Sequence, residues 1–230
     1  MSDEKIQVLD KGYVRLVDHM GSDISVVNAA RVSYDKEVAE MSERDQRLLT
    51  YLTTHNHESP FRHAAVTLEA YAPLMVARQW WKYAVASTHV DDQNGWNESS
   101  RRYITENEEF HIPDVWRLAP ENSKQGSGSD ASHDISVKHS HWLRKHIAES
   151  ERLYREALDD GLAPEQARLF LPAYGMYVRW RWTVSLTGLI HFLSQRIADD
   201  AQVEIRQYAL AVRELTSPLF PLAFESYGIS

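Results

Sequence analysis

The chain is predicted to adopt an α+β fold. Two stretches alternate strictly between apolar and other residues, several stretches repeat apolar residues at helical spacing, and no regular strand–helix–strand unit connects them. From the N-terminus, Val8 to Val17 reads as an edge hairpin turning at Lys11-Gly12. Ser22-Asp23 opens a helix running to about Arg31, with Ile24, Val27 and Ala30 on one face. Ser42 followed by Asp45 opens another through Leu48, Leu49 and Leu52, and Pro60 lies beyond it. Val66, Leu68, Ala70 and Ala72 alternate with Thr67, Glu69 and Tyr71 as in a half-buried strand, after which Pro73 leads into a helix over Leu74 to Ala84. Thr88 to Gly95 reads as loop, as does the Ser/Gly-rich stretch Glu121 to Asp134. A long helix is expected from Ile135 to Asp160, ending at Gly161, and a short one between Pro164 and Pro172. Met176, Val178, Trp180, Trp182 and Val184 alternate with Tyr177, Arg179, Arg181 and Thr183, the clearest strand in the chain. Two helices follow, one through Leu189, Phe192 and Leu193, the other from about Ala201 to Leu215 with Ile205, Tyr208, Ala209, Val212 and Leu215 inward. Residues 1–230 are read as one domain, an antiparallel or mixed sheet flanked by long helices, with 121–134 as a surface loop.

Composition narrows the function. The net charge of −8 argues against a protein devoted to gripping nucleic acid, where affinity comes from neutralising phosphates. The absence of cysteine excludes disulfides, zinc–thiolate sites and thiol nucleophiles, and fits a cytoplasmic setting. No run approaches the ~18 apolar residues of a membrane span, and the polar start Met-Ser-Asp-Glu-Lys is unlike a signal peptide, so no membrane partner is expected. Gly126 to Ala131 fits G-x-G-x-x-A in form, but no strand precedes it, so it is read as loop rather than as a dinucleotide turn. His55, His57 and His63 form one histidine group and His139, His141 and His146 another. Proximity in sequence does not make a metal site, and solvated histidines are the simpler reading. Arg101, Arg102, Arg168 and Arg196 lie beside apolar or aromatic residues and need partners, either carboxylates or an anionic ligand suited to the guanidinium fork.

Arg78-Gln79-Trp80-Trp81-Lys82-Tyr83 and Asn97-Glu98-Ser99-Ser100-Arg101-Arg102-Tyr103 resemble the signature of the flavin-dependent thymidylate synthases. Val8-Leu9-Asp10-Lys11-Gly12, Ala29-Ala30-Arg31-Val32-Ser33, His57-Glu58-Ser59-Pro60-Phe61 and Ala201-Gln202-Val203-Glu204-Ile205 also match that family, in order. The resemblance implies an FAD enzyme that methylates dUMP to dTMP, with methylene-tetrahydrofolate as carbon donor and NADPH as reductant. It also implies a homotetramer whose active sites are shared between subunits. Arg196 matches the arginine that favours ionised uracil N3. Gln79, Trp80, Trp81, Lys82, Glu98, Ser99, Ser100, Arg101, Arg102 and Arg168 match the nucleotide-binding stretches. His57, Ser59, Lys82, Tyr83, Ala84, Glu98, Ser185, Thr187 and His191 correspond to the flavin side, and no metal is expected. Lys82-Tyr83-Ala84 stands where the family has Arg-His-Arg, and the segment from Ser87 to Asn97 is longer than the family's. These departures leave open methylation of UMP, or a protein that binds nucleotide or flavin without turnover. A hydrolase built on His55, His57 and His63 is the reading furthest from the resemblance.

Overall fold

The computed structural model describes residues 4–85, 95–100, 102–121 and 126–229, with the backbone alone for Ala84 and Val85. In chain order its elements are β1 (Ile6–Val8), β2 (Gly12–Met20), α1 (Asp23–Arg31), α2 (Glu43–Thr54), β3 (Ala65–Pro73), α3 (Leu74–Val85), β4 (Gly95–Glu98), α4 (His133–Asp159), α5 (Pro164–Ala167), β5 (Tyr177–Ser185), α6 (Leu186–Arg196), α7 (Val203–Thr216) and α8 (Pro221–Ser226). Short 3-10 turns lie at Val32–Tyr34, Ser59–His63, Arg168–Phe170 and Ala173–Gly175. The described strands form an antiparallel sheet in the order β1-β2-β3-β5-β4.

Strand alternation sorts the sheet into two faces. On one, Leu68, Ala70, Val178, Trp180, Trp182 and Val184 are buried against helices α3, α6 and α7. Trp80 of α3 is the hub of this layer. Its ring stacks on Phe192 at 4.7 Å and meets Trp180 and Trp182 edge-on at 5.3 and 5.6 Å. Each such side chain contributes about 1.5–3 kcal/mol by leaving water, with a further increment from ring geometry. On the other face, Arg15, Glu69, Arg181 and Asn97 fall in one row across β2, β3, β5 and β4. The hairpin between β1 and β2 needs Gly12. A Cβ there would meet the Tyr208 hydroxyl at 1.8 Å and the Tyr71 carbonyl at 2.6 Å, two groups that hydrogen-bond each other at 2.8 Å.

Most expected elements are present. Three differ. At Gly95, the last residue of the expected loop, β4 begins; it pairs Gly95–Glu98 with Thr183–Trp180 and makes Asn97 and Glu98 of the Asn97–Tyr103 motif part of an edge strand, four residues with too little alternation to read. Residues 88–94 of that loop lie outside the described ones. Helix α4 begins at His133 rather than Ile135, because the Ser132 hydroxyl accepts from the Ile135 amide. The C-terminal half of the Ser/Gly stretch is tied down, with Gly128 and Ala131 amides donating to the Leu118 and Trp116 carbonyls at 2.8 and 2.7 Å. Helix α8 was not foreseen. Its N-terminus is held by Asp23, whose carboxylate accepts from the Leu222 and Ala223 amides at 2.9 and 3.0 Å. Among the described residues no helix is long and apolar enough to cross a membrane.

Candidate functional site

Gln79 and Tyr83 are four residues apart on α3 and therefore share a helix face. Facing them are His191 and Arg196 of α6. The Arg196 guanidinium lies 5.3 Å from the Tyr83 ring centre, and the His191 ring 5.5 Å from it. Arg196 is half-buried at the last turn of α6, where a cation complements the helix dipole. Its Nε is buried without a hydrogen-bond partner, a donor that costs about 1–3 kcal/mol if left unsatisfied. Burial raises the Tyr83 phenol above its ordinary pKa, against the opposing charge and hydrogen bond of Arg196, so Tyr83 stays neutral at physiological pH. Gln79 donates its amide to Gln202 Oε1 at 2.5 Å, just before α7.

A second group surrounds β4. Glu98 ends the strand, and burial raises its carboxyl above the usual range while Trp96 and the Arg168 charge pull the other way. Ser99 prolongs the pairing, its amide donating to the Arg179 carbonyl at 2.8 Å and its hydroxyl accepting from the Arg179 amide at 3.3 Å. The Ser100 hydroxyl accepts from Arg102 Nε at 3.0 Å, which aims that exposed guanidinium. Arg168 is exposed, with Nε donating to the Glu165 carbonyl. Arg101 lies outside the described residues.

The flavin-side expectations separate. His57 and Ser59 are exposed at the turn before β3, and Lys82 and Trp81 are exposed on α3. Thr187 is buried and donates to the Glu58 carbonyl at 3.2 Å, so it holds the His57–Ser59 segment in place. Ser185 is fully buried, and its hydroxyl caps α6 by accepting from the Gly188 amide. Trp80, expected near the nucleotide, has no exposed surface and serves the core instead; one residue in a recognition run always points inward when that run is helical. Ala84 lies on α3, and its side chain is outside the described part. His55 and His57 neighbour each other at 6.2 Å beside Tyr51, but among the described residues no group of three or more His, Asp or Glu side chains could hold a metal ion.

Sequence reasoning missed the open face of the sheet. Lys5, Tyr13, Arg15, Glu69, Arg179 and Arg181 join Asn97, Glu98 and Ser99 around a cavity of about 780 Å³. Glu69 sits between two arginines, accepting from Arg15 Nε at 3.0 Å and Arg181 Nε at 3.3 Å, and from the Tyr13 hydroxyl at 3.0 Å. Burial works to raise its carboxyl, but these donors prevail and hold it down at about 2. The signal was present in the alternation of β5, which must turn Arg179 and Arg181 away from the tryptophans.

The family model for the thymidylate synthase complementing protein matches residues 15–222. A flavin-dependent thymidylate synthase from Thermotoga neapolitana is 40% identical over 223 residues, covering 97% of this chain and 94% of the relative. One from Thermosipho africanus is 38% identical over 221 residues, covering 96% and 92%. Among solved structures, a UMP/dUMP methylase from Streptomyces cacaoi bound with 5-Br dUMP superposes with a TM-score of 0.81 at 28% identity, covering 97% of each chain. The same methylase bound with 5-Br UMP gives 0.78 at 27% identity, covering 97% of this chain and 98% of that one. The ordered motifs, the sheet with its flanking helices and these matches over nearly the whole length agree: the chain belongs to the flavin-dependent thymidylate synthase family.

Proposed function

We propose that the chain catalyses reductive methylation of dUMP at C5 to give dTMP, with FAD as cofactor, methylene-tetrahydrofolate as carbon source and NADPH as reductant. One observation carries the reading: a half-buried arginine, Arg196, whose Nε lacks a partner and whose guanidinium is held against Tyr83 between α3 and the end of α6. A fixed cation beside the N3 edge of a uracil stabilises negative charge on the ring and raises electron density at C5. C5 then forms the bond to the one-carbon unit, whose bond to the folate nitrogen breaks, and the C5 hydrogen leaves as a proton. The chain has no cysteine, so none of its own thiolates can add to C6 to achieve the same activation. Held beside Tyr83, His191, His57 and Ser59, FAD would supply hydride chemistry to complete the methyl group.

The residues fit a flavin unevenly. Tyr83 and His191 offer tilted rings, and His57 and Ser59 an exposed edge, while Ser185 and Thr187 already spend their hydroxyls within the chain. Arg102, oriented by Ser100, and Arg168 provide forks for a 5′-phosphate. These phosphate arms carry exposed apolar neighbours: Tyr103 is 79% exposed beside Arg102, and Leu169 83% beside Arg168. Trp81, next to Gln79 and Tyr83 in sequence, is 49% exposed. Such surface supports assembly into a homotetramer in which one subunit's arms complete another's Arg196 site.

The test supplies FAD-loaded protein with methylene-tetrahydrofolate, NADPH and either dUMP or UMP. Methylated dUMP is expected, falling by about 10²–10³ in Arg196→Ala. Product from UMP alone would replace the substrate, and product from neither would overturn the reading.

A further inference from the structure

A chain of polar side chains runs from the wall of an apolar cavity to Gln79. Arg117 pairs with Glu204, and its Nε also donates to the Ser127 hydroxyl at 2.7 Å. Gln202 Nε2 donates to the other Glu204 oxygen at 2.8 Å. Gln202 Oε1 in turn accepts from Gln79 Nε2 at 2.5 Å. Glu204 is nearly buried in the first turn of α7, where a carboxylate is favoured, and Gln202 immediately precedes that helix. The backbone of α7 therefore places both links.

The order of donors along this chain is imposed by chemistry rather than by how the amides are drawn. An ionised carboxylate can only accept. Burial opposes the ionised form of Glu204, but Arg117, Gln202 and its own backbone amide lower its pKa below the usual range, so it is a carboxylate at neutral pH. Gln202 must then give its NH₂ to Glu204 and turn its oxygen to Gln79. Gln79 must give one N–H to Gln202, which fixes the direction of its amide and leaves its oxygen and second N–H to face elsewhere.

We propose that Glu204, through Gln202, is a positioning residue that fixes the direction of the Gln79 amide, with its oxygen turned toward the nucleotide. The group that this oxygen meets is accordingly a donor, a sugar hydroxyl or a ring N–H. This rests on the nucleotide-binding reading above and deepens it. Arg102 and Arg168 are left to the phosphate, and Gln79 reads the neutral part of the ligand. A wrongly turned amide would oppose oxygen to oxygen, or leave a donor and an acceptor unpaired, at a cost felt in ligand affinity.

Moving the carboxylate one link along tests the claim. In Glu204→Gln, Arg117, which can only donate, takes the new amide's oxygen and turns its NH₂ toward Gln202, so Gln202 is turned over and offers Gln79 a donor instead of an acceptor. In the double variant Gln202→Glu with Glu204→Gln, a carboxylate again accepts from Gln79, and the order at Gln79 is restored. With FAD-loaded protein and dUMP, Glu204→Gln is expected to raise KM about tenfold with kcat within about twofold, and the double variant to return KM to within about threefold of the starting protein. A merely structural role for Glu204 would instead lower the thermal midpoint and FAD content in both variants without rescue. Unchanged KM in Glu204→Gln, or no recovery in the double variant, overturns the proposal. Selective ¹⁵N-glutamine labelling gives a readout independent of turnover: the Gln79 side-chain amide signals, assigned by Gln79→Met, should move in Glu204→Gln and return in the double variant. If the starting protein methylates no nucleotide, the functional reading fails while these signals still decide the relay, and signals that stay put in Glu204→Gln refute it.

Discussion

The two faces of one strand, β5, do opposite work. Trp180 and Trp182 are sealed under α3 and α6, while Arg179 and Arg181 on the other face remain exposed, Arg181 pairing with Glu69. The covered face draws its stability from apolar area and ring contacts, which are insensitive to pH and salt. The open face holds together through the buried Glu69 and its donors, whose net worth is limited because Glu69 gives up water to make these bonds and Arg181 remains exposed. The covered face consequently carries the precision of the site: Gln79 and Tyr83 flank Trp80 on α3, and Arg196 ends the helix that brings Phe192 against it. The open face supplies charge beside Asn97–Ser99.

This contrast can be broken most forcefully at its hub. Trp80→Ala is expected to cost about 3–5 kcal/mol, with the thermal midpoint falling by roughly 10 °C and nucleotide affinity falling with it as α3 loosens. Next in size is Glu69→Ala, which leaves Arg15, Arg181 and Tyr13 facing a lost acceptor. We expect about 1–3 kcal/mol, read by denaturant unfolding, with FAD content unchanged.

Acid should sharpen the same difference. The folded-state pKa of Glu69 lies near 2, below that of an unfolded glutamate, so its contribution is fully present above about pH 4.5 and is lost as pH falls toward 2. The stability gap between the parent protein and Glu69→Gln should therefore narrow across that window, whereas the gap to Trp80→Ala should stay level. The smallest effect belongs to Arg15→Lys, which keeps the charge but loses the two-pronged contact with Glu69. A loss of about 1 kcal/mol or less is expected, shrinking further in high salt. An equal loss at both faces in any of these measurements would dissolve the distinction.

Much of this was legible in the sequence, for reasons that differ by element. The alternation from Met176 to Val184 specified a strand and which of its residues lie inward, because a two-residue period admits one solution once one face is buried. Helix α3 was readable from its periodicity and its entry at Pro73, and α7 from the spacing of Ile205, Tyr208, Ala209 and Val212. Strand β4 and helix α8 were not, since each is too short for a period to declare itself and exists through partners far away, β5 in one case and Asp23 in the other. In the site, residue types alone could not separate Trp80 from Trp81 or Ser185 from Ser100. One of each pair is buried structure, and only the packing of α3 and the capping of α6 decide which.

By itself the sequence determined the chemistry on offer: arginines and aromatics in ordered motifs, no thiol, and a sheet with one apolar face. The tertiary structure decided which of those groups meet. Arg196 reaches Tyr83 across helices more than a hundred residues apart in sequence, Glu69 gathers two arginines from strands on either side, and Gln79 is tied to Gln202 at the head of α7. Local propensity acts over a few residues, whereas the partner that sets a side chain's orientation or charge is chosen by how distant elements pack.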